Sequence, residues 1–133
     1  MKDLRTVNAI EFAWIGDAVI TQYIRAYLIR TTDYKVNALQ RESKRYVSAK
    51  AQARILEQLQ GSLTPEEELV CKRGRNAHTG HTAKNADVGD YKAATALEAL
   101  IGWLYLTEQT ERLDEILTQM IRTVQGREDQ AGQ

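Results

Sequence analysis

Cysteine, proline and phenylalanine each occur once in these 133 residues, and basic and acidic side chains cancel at 18 of each. A lone Cys71 excludes an intrachain disulfide and suggests a reducing compartment. A lone Pro65 and few alternating β-branched residues leave little from which to build strands, so an all-α fold is expected. No apolar run approaches the roughly 20 residues a membrane-spanning helix needs. The opening stretch, Met1-Lys2-Asp3-Leu4-Arg5, lacks the apolar segment and cleavage site of a secretion signal, and a cytoplasmic location is expected. The neutral sum gives no global field to draw in nucleic acid.

The charge that is present is unevenly placed. Arg41 to Arg54 holds Arg41, Lys44, Arg45, Lys50 and Arg54 against Glu42, a local +4. Lys72 to Lys84 adds Lys72, Arg73, Arg75, Lys84 and two histidines without an acid, whereas Glu108 to Asp129 sums to −3. A basic helix face is most often a solvated surface. The run Lys72-Arg73-Gly74-Arg75-Asn76 is better suited to phosphate and hydroxyl contacts, because it leads into a loop of Thr, Gly, His and Asn.

Periodicity and capping signals predict about six or seven helices. The first spans about Asn8 to Arg30, and a short one Lys35 to Gln40. A third runs from Ser43 to Gln60, stopped by Gly61. Thr64-Pro65-Glu66-Glu67 is a strong start for a helix to Asn76, with Thr64 and Glu67 forming a capping box. Asp87 can cap a helix through Glu98 to Leu106, and a last helix covers Glu111 to Val124. Residues 1–125 are expected to form one domain and 126–133 a polar, disordered tail.

Within this pattern two acids interrupt apolar helix faces, each close to a glycine. Asp17 follows Gly16 in Phe12-Ala13-Trp14-Ile15-Gly16-Asp17-Ala18-Val19-Ile20. Glu98 lies four residues before Gly102 in Thr95-Ala96-Leu97-Glu98-Ala99-Leu100-Ile101-Gly102. Helical spacing puts Asp17 with Ala13, Trp14, Ile20 and Ile24, and Glu98 with Ala94, Ile101 and Tyr105. Glycine inside a helix costs about 1 kcal/mol relative to alanine and usually marks a close approach of backbones. Helices crossing at Gly16 and Gly102 would bring the two carboxylates together, and such a pair must share a proton or bind a cation. Oxygen donors alone suit Mg²⁺ or Mn²⁺. The plainer alternative, an ordinary ion pair for each acid, stays open.

Other constellations carry less. His78 and His81, with only Cys71 nearby, make a poor zinc set. Cys71 has no activating base beside it and reads as a buried structural thiol. Trp14, Trp103 and the tyrosines read as core or dimer interface. Asp87 and Asp90 read as helix-start residues.

These segments, taken in order, resemble the ribonuclease III superfamily and its short Mini-III branch. Trp14-Ile15-Gly16-Asp17-Ala18-Val19 looks like the end of the family's signature helix. Ala96-Leu97-Glu98-Ala99-Leu100-Ile101-Gly102 looks like its second metal-binding helix. Arg45-Tyr46-Val47-Ser48-Ala49-Lys50-Ala51-Gln52-Ala53 and Lys72-Arg73-Gly74-Arg75-Asn76-Ala77 are similar to the Mini-III pattern between them. The larger enzymes carry a further glutamate where this chain has Ala13 and an aspartate where it has Thr95, so only Asp17 and Glu98 of the acidic set are kept.

The resemblance implies an all-α, homodimeric ribonuclease III-like domain in which Asp17 and Glu98 are the catalytic, Mg²⁺-binding residues. It implies staggered cutting of double-stranded RNA to 5′-phosphate and 3′-hydroxyl ends, in maturation of large-subunit ribosomal RNA precursors. With no room after the last helix for a double-stranded-RNA-binding domain, the catalytic domain is expected to hold the RNA itself. Lys50, Lys72, Arg73, Arg75, Asn76 and Lys84 are the expected contacts. A ribonuclease III-fold scaffold without catalysis and a helical protein-interaction module are the rival readings.

Overall fold

A computed structural model describes residues 2–77 and 87–131, with side chains through 126. Six α-helices and one short 3-10 turn, Leu4–Thr6, make up the described residues, with no strand among them. The helices are α1 (Ala9–Thr31), α2 (Val36–Val47), α3 (Ala49–Leu59), α4 (Pro65–Asn76), α5 (Val88–Leu106) and α6 (Thr110–Ala131). None of them is long and apolar enough to cross a membrane.

Helices α1, α4 and α5 start at the side-chain caps nearest their expected beginnings. The Asn8 side chain accepts from the Glu11 backbone while the Glu11 carboxylate accepts from Asn8 N–H, closing a capping box on α1. Thr64 and Glu67 do the same for α4, and Asp87 accepts from Gly89 and Asp90 at the start of α5. Each such cap contributes about 1 kcal/mol.

Two boundaries differ from the sequence expectation. The break between the second and third helices falls at Ser48 and not near Ser43. Ser43 turns its hydroxyl back to the Gln40 carbonyl within α2, so it caps nothing. Ser48, in extended backbone conformation, ends α2 and accepts from Ala51 N–H to start α3. At the other end of the chain, α6 passes the expected stop near Val124 and continues to Ala131. Gln125 adds a tertiary tie there by donating to the Tyr27 hydroxyl of α1.

Helix α5 is the axis of the molecule. Every residue from Ala93 to Leu104 is buried except Glu98 and Trp103, and α1, α3 and α4 all pack against it. A helix that is apolar all round belongs in a core. Its small residues let neighbours come close. A Cβ built on Gly74 of α4 would stand 2.9 Å from both Ala96 Cα and Ala99 Cβ. On the far side, Glu67 of α4 is 2% exposed and takes the Arg112 guanidinium of α6 at 2.8 and 2.9 Å.

Candidate active site

The crossing of α1 over α5 is built from its two glycines. A Cβ on Gly16 would lie 1.8 Å from the Glu98 carbonyl oxygen, and one on Gly102 would lie 1.8 Å from the Phe12 carbonyl oxygen. Gly16 meets Glu98 and Phe12 meets Gly102, so the two helices pass in opposite senses. No side chain fits in either place, and the backbones touch.

That contact sets the rotation of α1. Phe12, Gly16, Ile20, Ile24 and Leu28, one turn apart, face the core, which leaves Asp17 at the edge of the stripe and exposed. Asp17, read from the sequence as interrupting an apolar face, thus stands outside the core, and of the two readings of Trp14, core or dimer interface, its 81% exposure excludes the core. Glu98 is the half-buried partner. Burial foremost, then the Asp17 carboxyl within hydrogen-bonding reach and its charge, push the Glu98 pKa up to about 8. The Gln52 amide works against this by favouring the charged form. An acid poised to lose its proton near neutral pH thus sits beside a solvent-facing aspartate.

Gln52 was not among the residues singled out from the sequence. It is 2% exposed on α3. Its Nε2 donates to the Val47 carbonyl at 3.1 Å, and its Oε1 has no partner among the described residues. The only available signal was a polar residue at a position helical spacing places on the buried face of α3, with Ala51, Ile55, Leu56 and Leu59. Asp17 and Glu98 make an all-oxygen donor pair, the kind that hard dications take. Among the described residues no cluster of three or more His, Cys, Asp or Glu forms.

The residues expected to contact RNA lie outside this pair. Lys50, Lys72, Arg73, Arg75 and Asn76 are all exposed. Around α4 they diverge: Lys72 and Arg75 border a recess with Leu56 of α3 and Gln60 just beyond it, and Arg73 borders another with Arg5, Phe12 and Trp103. Lys84, like His78 and His81, lies outside the described residues. Thr95, where larger relatives of the resembled family carry an acid, is 7% exposed and spends its hydroxyl on the Tyr91 carbonyl. Cys71 is buried, and burial pushes its thiol up to about 12, too high for a nucleophile at neutral pH.

Comparison with known proteins identifies the family. The model of the ribonuclease III domain matches residues 11–109, a span that contains both acids and both crossing glycines. The chain is 49% identical over 126 residues to a Mini-ribonuclease 3 of Brevibacillus brevis, covering 94% of this chain and 93% of that one. It is 45% identical to the Enterococcus faecalis Mini-ribonuclease 3, covering 93% and 96% of the two chains. A crystal structure of a Fusobacterium nucleatum protein superposes with a TM-score of 0.81 at 34% identity, covering 92% of this chain and 98% of that one. The chain belongs to the ribonuclease III family, among the Mini-ribonucleases 3, and is an endoribonuclease.

Proposed function

We propose that this endoribonuclease hydrolyses double-stranded RNA at a Mg²⁺ site held by Asp17 and Glu98, and that it works as a homodimer. The observation that carries the reading is the meeting of the two carboxylates at the Gly16–Gly102 crossing, with Glu98 displaced toward its neutral form by burial and by Asp17. A dication relieves that conflict, and the residues present fit one. When bound, it would lower the pKa of a water and offset charge building on the scissile phosphate.

The protein's own contribution is placement. Glu98 rides on the most deeply buried helix of the fold, and α1 is set against it by backbone contact at Gly16. Asp17 opens the pair to solvent, where a phosphate can approach. Lys50, Lys72, Arg73, Arg75, Asn76 and Lys84 are assigned to the RNA backbone. A-form duplex is recognised chiefly through its phosphates and 2′-hydroxyls across the minor groove, so exposed cations and amides suit the task. The dimer reading rests on α1, where Trp14 and Ile10 stand 81% and 38% exposed on the side of the helix that carries Asp17. A second copy would cover them and set two active sites side by side, one for each strand. Large-subunit ribosomal RNA precursor, processed in the cytoplasm, is the natural substrate we assign.

Incubation of a long duplex RNA and of its separate strands, each with Mg²⁺ and with EDTA, tests the reading. Cutting of the duplex alone, and only with Mg²⁺, is the expected result. Equal cutting of single strands, or cutting in EDTA, would sink it. Sedimentation should give a dimer for the wild type and a monomer for Trp14→Glu.

A further inference from the structure

A long polar side chain at a position 2% exposed needs a reason, and Gln52 has half of one. Its amide nitrogen carries two hydrogens. One goes to the Val47 carbonyl at 3.1 Å, across the Ser48 break, and the amide also favours the charged form of the Glu98 carboxylate. Turning the amide over would set its oxygen against the Val47 carbonyl, so Oε1 is left buried and without a partner among the described residues. An orphaned buried carbonyl is destabilising, because it gives up its water without gaining a partner. Native proteins tolerate few, and an ion or ordered water usually accounts for them. If Gln52 served only to staple α2 to α3 through Val47, its oxygen would be a cost without return. A methionine of similar volume would pack better there.

We propose that Gln52 is a positioning residue of the cation site, orienting Glu98 through its amide N–H and offering Oε1 to a water in the bound cation's shell. The inference rests on the Asp17–Glu98 cation reading and deepens it. Groups behind first ligands commonly account for 10–100-fold in metal affinity. The orphan oxygen then has its partner only in the loaded enzyme, so the cost falls on the apo protein.

The test is calorimetric titration of RNA-free protein with Mg²⁺ alone, comparing wild type, Gln52→Met, Asp17→Asn and Glu98→Gln. Thermal unfolding without Mg²⁺ is recorded for each. Gln52→Met should bind Mg²⁺ at least tenfold more weakly, while its Tm without metal equals or exceeds that of the wild type. A purely structural glutamine would show the reverse, a lower Tm with Mg²⁺ affinity within twofold, and that result overturns the inference. Should Gln52→Met fail to fold, Gln52→Glu decides. A carboxylate in contact with the cation's shell enlarges the Mg²⁺-dependent rise in Tm, and a rise equal to that of the wild type counts against contact. If Asp17→Asn and Glu98→Gln leave Mg²⁺ binding intact, the cation reading itself has failed. If they abolish it while Gln52→Met does not, only the role of Gln52 is lost.

Discussion

The carbonyl oxygen of Glu98 lies 1.8 Å from the point a Cβ on Gly16 would occupy. The acid and the glycine are therefore one device: the absence of a side chain at residue 16 is what brings Asp17, the next residue, to Glu98. Because the obstacle is backbone, Gly16→Ala cannot be absorbed by a rotamer change and must push α1 off α5. Overpacking of this kind costs about 1–3 kcal/mol. Cleavage should fall further than the loss of folded protein explains, since the carboxylates separate. Thermal unfolding and single-turnover cleavage, both measured where the variant is still folded, check this. A Gly16→Ala protein with native stability and native rate would refute the crossing as described.

Glu98 makes stability and metal affinity depend on pH in a defined direction. Burial first, and Asp17 second, raise its pKa from 4.5 to about 8 in the folded protein. The native state thus holds the proton more tightly than the unfolded chain. That contribution to stability is fully present below pH 4.5 and is lost as pH rises through about 8. Without metal, the Tm of the wild type should decline over this window relative to Glu98→Gln, which has nothing to titrate. Mg²⁺ competes with the proton, so its affinity should climb across the same range. Calorimetry at several pH values reads both, and a Mg²⁺ affinity that is flat with pH would contradict the assignment.

The Glu67–Arg112 pair makes an acid-sensitive tie between α4 and α6. Burial pushes the Glu67 carboxyl up, but the Arg112 guanidinium and the Thr64 cap together outweigh it and hold the group below the usual carboxylate range. Its contribution is present above pH 4.5 and is lost as pH falls through the lowered value. Arg112 also donates to the Ser62 carbonyl at 2.9 Å. Arg112→Met strands a buried carboxylate and should cost about 3–5 kcal/mol at neutral pH, with the loss shrinking in acid. Denaturant unfolding at pH 7 and at pH 4 reads the difference, and an equal cost at both would show that the charge is not what matters.

How far the sequence carried is clearest at particular residues. Asn8, Thr64 and Asp87 announce their helices because a cap is a local event, decided within four residues. The Gly16–Gly102 crossing was legible because glycine in an apolar helix has few purposes. Ser48 was not: Ser43 and Ser48 offer the same chemistry, and only packing decides which hydroxyl turns back into its own helix. Core and dimer interface stayed open for Trp14 for a related reason, since periodicity gives a face but not which neighbours cover it. Gln52 escaped because its significance lies in an unpaired atom, a property of three dimensions. The ion pair of Glu67 was hidden behind its role in the capping box, which accounts for the residue locally and gives no hint of Arg112, 45 positions along the chain.

The central claim is that Asp17 and Glu98 act as one cation-dependent catalytic unit, and cleavage set against binding tests it most directly. Wild type, Asp17→Asn and Glu98→Gln are given a long duplex RNA with Mg²⁺, and binding and product are measured on the same samples. The account predicts that all three bind the duplex, that the wild type alone cuts it, and that EDTA silences the wild type without releasing the RNA. Cleavage by either variant at the wild-type rate would contradict it.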